Sequence, residues 1–198
     1  MKESNLLPLE SHSIVLHKKS DSEASIFIFG GYCHGQYLNT MFEYKIESET
    51  CKKIEIKEEN NLPKGRILHA MTIYENDIYI HGGESIGGDY LTDFWKYSIT
   101  DNKWSLIELK GEFPKARSGH TLITYNKKFF LFGGKTGTIH ETNELWAYDI
   151  TKQQFEIKHD TLLEQYSEKE IQVMTLHAHI EETKKSPKNT SILDILFK

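Results

Sequence analysis

The sequence predicts an all-β fold: three four-stranded antiparallel sheets in succession, followed by a tail of different character. Three observations lead there. Short runs rich in aromatic and β-branched residues alternate with turn residues, as strands and tight turns do. The pattern recurs about every 50 residues, the length of a whole supersecondary unit. And one run in each recurrence is apolar on both sides: Ile26 to Phe29, Ile78 to Ile80, and Phe129 to Phe132. A half-buried strand alternates with polar residues, whereas one covered on both faces need not.

The last recurrence is the clearest. Thr121 to Tyr125 reads as a first strand, Asn126-Lys127 as a turn, and Phe129 to Phe132 as a second strand ending in Gly133-Gly134. A loop leads to Leu145-Trp146-Ala147-Tyr148, a turn covers Thr151 to Gln153, and Phe155 to Lys158 closes the meander. The diglycines Gly30-Gly31, Gly82-Gly83 and Gly133-Gly134 begin 52 and 51 residues apart. His69 and His120 stand 13 residues before the later two, and His12 holds that place in copy one. Phe42, Trp95 and Trp146 are each followed nine residues on by Cys51, Trp104 and Phe155. Lys64-Gly65-Arg66 matches Lys115-Ala116-Arg117.

A diglycine ending the second strand, an aromatic pair in the third and a Trp-like residue in the fourth resemble the kelch repeat. The resemblance covers about residues 8–159, with units at about 12–57, 66–109 and 117–158. It implies a β-propeller whose blades are these meanders. Copy one departs most. It lacks the Arg, has Cys51 at the Trp position, and carries five extra residues before its diglycine. Those extra residues are expected in the first hairpin, with Lys18 to Glu23 as a polar connection. Gly30, Gly31, Gly82, Gly83, Gly133 and Gly134 are expected to be structural, at backbone that needs positive φ or close approach. His69, His120, Trp95, Trp104 and Trp146 recur at matched positions and are also assigned to the framework.

Composition sets the outer limits. The chain has 198 residues, 24 Lys and Arg against 29 Asp and Glu, and a formal net charge of −5. No broad basic face for nucleic acid or acidic lipid is expected. Cys33 and Cys51 are the only cysteines, too few for a disulfide framework. Met1 to Lys19 has no apolar core of signal-peptide length, and no run reaches the roughly 20 apolar residues of a membrane span. A cytoplasmic protein is the expectation.

The tail, 160–198, breaks the pattern. Its Leu, Glu, Gln and Lys content favours a helix over about 162–184, followed by a flexible polar end. The competing reading is a degenerate fourth blade, with Ile171 to Leu176 and Ile192 to Phe197 as strands.

Three blades imply a partial propeller with two uncovered flanks, because propellers close with about four to eight blades. Apolar patches of more than a few hundred Å² are rarely left bare. The tail, a second copy of the chain, another protein or missing sequence could cover them. Two copies would complete a six-bladed ring with twofold symmetry.

Family resemblance places function in the loops after the diglycines. Tyr32, His34 and Tyr37 belong to the first, Glu84, Asp89 and Tyr90 to the second, and Lys135 and His140 to the third. Arg66 and Arg117 enter each blade near the same face. Aromatic rings, cations and mixed polar groups suit protein or peptide recognition. For the two arginines a framework role is the plainer alternative. The resemblance also admits a metal-dependent enzyme or a structural subunit of a larger assembly. Cys33-His34 and His177-Ala178-His179 are the only local clusters with metal-ligand chemistry, and neither has a second ligand pair at matching spacing. Gly134-Lys135-Thr136 ends like a phosphate loop, but Phe129 stands where the first Gly is needed. The sequence therefore points to an adaptor or scaffold without catalytic residues, metal or cofactor.

Overall fold

A computed structural model describes residues 7–56, 61–137 and 140–158. Among them are three four-stranded antiparallel sheets, one per repeat. Blade one pairs β1 (Ser13–Ser20), β2 (Glu23–Phe29), β5 (Met41–Lys45) and β6 (Thr50–Lys53) in that order. Blade two runs from β7 (Ala70–Tyr74) through β8 (Asp77–His81) and β9 (Phe94–Ser98) to β10 (Lys103–Ile107). Blade three runs from β11 (Thr121–Tyr125) through β12 (Lys128–Phe132) and β15 (Leu145–Asp149) to β16 (Gln154–Ile157). The predicted helix over 162–184 and its fourth-blade alternative lie outside the described residues.

Two details differ from the expectation. The five extra residues of copy one do not form a connecting loop. They lengthen β1 and β2, which stay paired out to Ser20 and Glu23 with an irregularity after Lys18. A longer ladder satisfies its backbone groups, which a polar loop would leave to water. The diglycine loops of blades one and three also carry small ribbons, β3 (Tyr32–Cys33) with β4 (Gln36–Tyr37) and β13 (Lys135–Gly137) with β14 (His140–Glu141).

Each blade has two faces because strand side chains alternate. In blade two, Met71, Ile78, Ile80, Trp95, Tyr97 and Trp104 form a core with Val15, Phe27, Phe29 and Met41 of blade one. Its other face gives Ala70, Tyr79 and Phe94 to a core with Leu122, Phe129, Leu131, Trp146, Tyr148 and Phe155 of blade three. The fourth-strand aromatic is the anchor of each seam. The Trp104 ring lies 5.0 Å from Phe29 and 5.2 Å from Tyr97. Phe155 stands in the same place in the next seam, 5.7 Å from Phe94 and 4.9 Å from Tyr148. Such aromatic pairs add about 0.5–1.5 kcal/mol each beyond their burial. Cys51, at the matching place in blade one, meets no preceding blade among the described residues and is half-buried.

All six diglycine residues have positive φ, from 61° to 97°. Gly83 shows why no other residue fits. Its φ is 97°, and a Cβ there would sit 2.6 Å from the Ile67 carbonyl oxygen and 2.8 Å from the His69 Cβ. The second strand can therefore end tight against the segment that enters its own blade. That close approach brings the diglycine loops and the entering segments onto one face.

Candidate interaction face

The face is built on two buried arginines. Arg66 donates through Nε to the Lys64 carbonyl at 3.1 Å and through one terminal nitrogen to the Gly82 carbonyl at 2.9 Å. Its two terminal nitrogens grip the Asp93 carboxylate at 2.7 Å each, and the Trp95 indole N–H donates to the same carboxylate at 2.6 Å. Arg117 repeats the arrangement with Lys115, Gly133, Glu144 and Trp146, at 3.0, 3.1, 2.6 and 2.9 Å. Both arginine side chains are wholly buried. They present nothing to a partner, and the expectation that they lie in a binding surface is corrected to the framework role. A planar guanidinium with five donors suits that position, because it can satisfy a carbonyl and a carboxylate at once. Burial alone would raise the Asp93 and Glu144 pKa values, but the arginine bonds and charge and the indole N–H outweigh it and hold both low.

The main chain of the same segments holds neighbouring blades together. The Arg66 carbonyl accepts from Gly31 N–H at 2.9 Å, and Arg66 N–H donates to Leu38 O at 3.1 Å. One blade on, Arg117 accepts from Gly83 at 2.8 Å and donates to Leu91 O at 3.1 Å. Each arginine thus bonds its own blade with its side chain and the preceding blade with its backbone.

Beneath lie three histidines. His69 packs edge-on against Phe29, with ring centroids 5.5 Å apart. His81 Nδ1 and His120 Nε2 are 3.0 Å apart across the seam between blades two and three. Burial, reinforced by the arginine charges, lowers His69 and His81 to about 3, and burial beside His81 lowers His120 well below the ordinary value. Neutral rings fit a packed, dry seam. His12, at the matching place in copy one, is exposed.

Above this frame the loops stand in a row. Tyr32 and Tyr37 are half-buried with rings 5.8 Å apart in a T-shaped contact, and His34 is exposed. Cys33 Sγ lies 3.3 Å from His34 Nδ1. Glu84 is half-buried and forms backbone bridges to Ile67 and Tyr90. Asp89 is exposed, and its carbonyl accepts from Ser85 N–H at 2.9 Å. The Tyr90 hydroxyl reaches over to the Gly137 carbonyl at 3.4 Å and so joins the second loop to the third. Lys135 and His140 are both exposed. One exposed residue of these loops is not among the positions expected from the sequence. Ile86 is 73% exposed, the barest large apolar side chain among the described residues. Its setting before Gly87-Gly88, which marks a loop tip, was the legible clue.

Among the described residues no group of three or more His, Cys, Asp and Glu side chains is placed to hold a metal ion. The His177 and His179 pair lies outside them. Also among the described residues, no helix is long and apolar enough to cross a membrane.

Comparison with known proteins agrees with this architecture. A sequence model described as the KLHDC2/KLHL20/DRC7 Kelch-repeats domain matches residues 1–179. The chain belongs to the kelch-repeat family. Similar proteins include Putative protein tag-53 of Caenorhabditis elegans, 35% identical over 99 residues, covering 46% of this chain and 7% of that protein. Host cell factor 2 of Homo sapiens is 30% identical over 149 residues, covering 63% of this chain and 18% of the relative. The N-(sulfonatooxy)prop-2-enimidothioate sulfolyase of Thlaspi arvense is 26% identical over 147 residues, covering 66% and 42%. The chain thus spans less than a fifth of the first two relatives and less than half of the third. Kelch repeats are generally protein-interaction modules, although the third relative is named as an enzyme.

Proposed function

We propose that this chain is a kelch-type adaptor or scaffold that binds a protein or peptide through the diglycine-loop face, in the cytoplasm and without catalysis. The observation that carries the reading is a contrast in one place. A frame of buried Arg66 and Arg117, each bonded to a half-buried carboxylate, supports a row of exposed loops of mixed chemistry. Recognition surfaces favour that combination, since rigid support lowers the ordering cost of binding. Tyr32, Tyr37 and Tyr90 offer ring area with little rotamer freedom. Ile86 offers an apolar anchor, and His34, Glu84, Asp89, Lys135 and His140 offer polar contacts around it. Aromatic anchors within a polar rim are the usual anatomy of such interfaces. Cys33 and Cys51 are both free, which suits a reducing compartment.

The test is affinity capture from cell extract with the intact chain and with Ile86→Asp, Tyr90→Ala and His140→Ala variants. A protein retained by the intact chain and lost with these changes, at unchanged circular dichroism, supports the reading. Retention by all the variants would move the binding surface elsewhere. A stoichiometric metal with turnover of a small substrate would replace it with an enzyme.

A further inference from the structure

The seams between blades follow a rule, and the two ends of the array each carry half of it. Three backbone hydrogen bonds recur at each seam. In the first they are Gly31 N–H to Arg66 O, Arg66 N–H to Leu38 O and Leu68 N–H to Ser11 O, at 2.9, 3.1 and 3.0 Å. In the second they are Gly83 N–H to Arg117 O, Arg117 N–H to Leu91 O and Gly119 N–H to Leu68 O, at 2.8, 3.1 and 2.8 Å. The equivalent groups on blade three are Gly134 N–H, Thr142 C=O and Gly119 C=O. Thr142 holds its place because its own N–H donates to Gly134 O at 3.0 Å, as Leu38 and Leu91 do to Gly31 and Gly83. Among the described residues these three groups have no hydrogen-bond partner.

Blade one carries the complement. Glu10 and Tyr32 exchange the backbone bonds that Ile67 exchanges with Glu84 and Ser118 with Lys135. That register puts Leu9 at the position of Arg66 and Arg117, and Ser11 at the position of Leu68 and Gly119. Ser11, Leu68 and Gly119 share a left-handed backbone, with φ of 55°, 51° and 68°. Leu9 C=O, Leu9 N–H and Ser11 N–H are likewise without a partner among the described residues. One donor and two acceptors on blade three thus complement two donors and one acceptor on blade one.

The side chains agree in kind. Blade one turns Ile14 and Leu16 outward, 56% and 55% exposed, from the face type that blade two presents to blade one. Blade three turns Ile123, Phe130 and Phe132 outward, half-buried, from the face type that blade two presents to blade three. Unpaired backbone groups beside bare apolar side chains are costly to leave in isolation.

We propose that blade three of one chain docks on blade one of a second copy, and the reverse, giving a ring of six blades with twofold symmetry. The interface adjoins the loop face of the preceding section but its side chains come from the blade flanks, so flank and loop-tip substitutions test the two independently. Six lies within the range at which propellers close, and two identical head-to-tail contacts close the ring without leaving an open end.

The test is the mass in solution of the full chain at about 10 μM, because association depends on concentration. Light scattering is expected to give twice the 23.0 kDa chain mass. Leu16→Glu on blade one and Phe130→Glu on blade three should each give the single-chain mass with unchanged circular dichroism. An equimolar mixture of the two should regain the doubled mass, since one undamaged blade-three surface then meets one undamaged blade-one surface. If Phe130→Glu fails to fold, Ile123→Glu on the same face takes its place. A single-chain mass for the unaltered protein overturns the proposal. So does a dimer indifferent to Phe130→Glu, which would join blade one to blade one, or a mixture that stays monomeric.

Discussion

Blades two and three share one repeat pattern but not one environment. In β8, Ile78, Tyr79, Ile80 and His81 are all buried. In β12, Phe129 and Leu131 are fully buried while Phe130 and Phe132 are only half-buried. The second run is as apolar as the first, yet its burial alternates. The difference comes from neighbours. Blade two has a described sheet against each face, and blade three has one against a single face. An apolar run states what a strand can tolerate, and burial also needs something to pack against it.

Several experiments would break or sharpen that comparison. The largest effect is expected at the arginines. Arg66→Ala should cost about 3–5 kcal/mol in urea unfolding, because it strands the Asp93 carboxylate in a largely buried position. Arg117→Ala should cost less, since Arg117 makes a single bond to Glu144 where Arg66 makes two to Asp93. Equal losses would show that the carboxylate contacts do not set the ranking.

Position-matched truncations come next. Tyr79→Ala should cost about 3–5 kcal/mol, in the range for a buried aromatic. Phe130→Ala, its counterpart in blade three, should cost clearly less in a single chain because the ring is only half-buried. A Phe130 loss as large as that of Tyr79, measured where the chain is monomeric, would mean that blade three's outer face is covered after all.

Acid should act on both seams. His69 and His81 titrate near 3 when folded and near 6.5 when exposed, and His120 is displaced the same way. Below about pH 6.5 the unfolded chain binds protons that the folded chain does not, so stability falls as pH falls, by up to about 1.4 kcal/mol per pH unit for each histidine. Asp93 and Glu144, held low, add to the loss only once the pH falls into the ordinary carboxylate range, where the unfolded chain begins to protonate them and the folded chain does not. The urea midpoint should be flat from pH 7 to 8 and drop between pH 6.5 and 4. A flat profile to pH 4 would mean that the seams admit charged histidine.

The smallest effect concerns the first hairpin of blade three. Asn126 and Lys127 both have positive φ, 47° and 59°, whereas the matching turn in blade two has only Glu75 so. Two left-handed central residues favour Asn-Gly in such a turn. Lys127→Gly should raise the thermal midpoint slightly, by an amount worth about 1 kcal/mol or less, and a fall would show that the lysine makes an unseen contact.

Much of the architecture was legible in advance. The strand runs of blade three fall within a residue or so of β11, β12, β15 and β16, because the alternation of apolar runs with turn residues is a local signal. Positive φ at the diglycines was an expectation that needs no distant contact, because it is a property of single residues. The matched spacing of His69 with His120 and Trp95 with Trp146 marked them as framework. The arginines show where local reading stops. Their spacing was visible, but Asp93 and Glu144 lie 27 residues further on. Nothing in the chain order says whether a guanidinium points outward to a partner or inward to a distant carboxylate. Ile86 is the reverse case, an apolar residue that local reading ranked below its polar neighbours.

By itself the sequence determined the repeat, the strand runs and the positions where only glycine fits, since each depends on residues close along the chain. The tertiary structure alone decided which faces of the blades are covered, which cations are buried and which backbone groups of blades one and three have no partner among the described residues. Those depend on segments tens of residues apart meeting in space, and the free energy of burial is defined only once they have met.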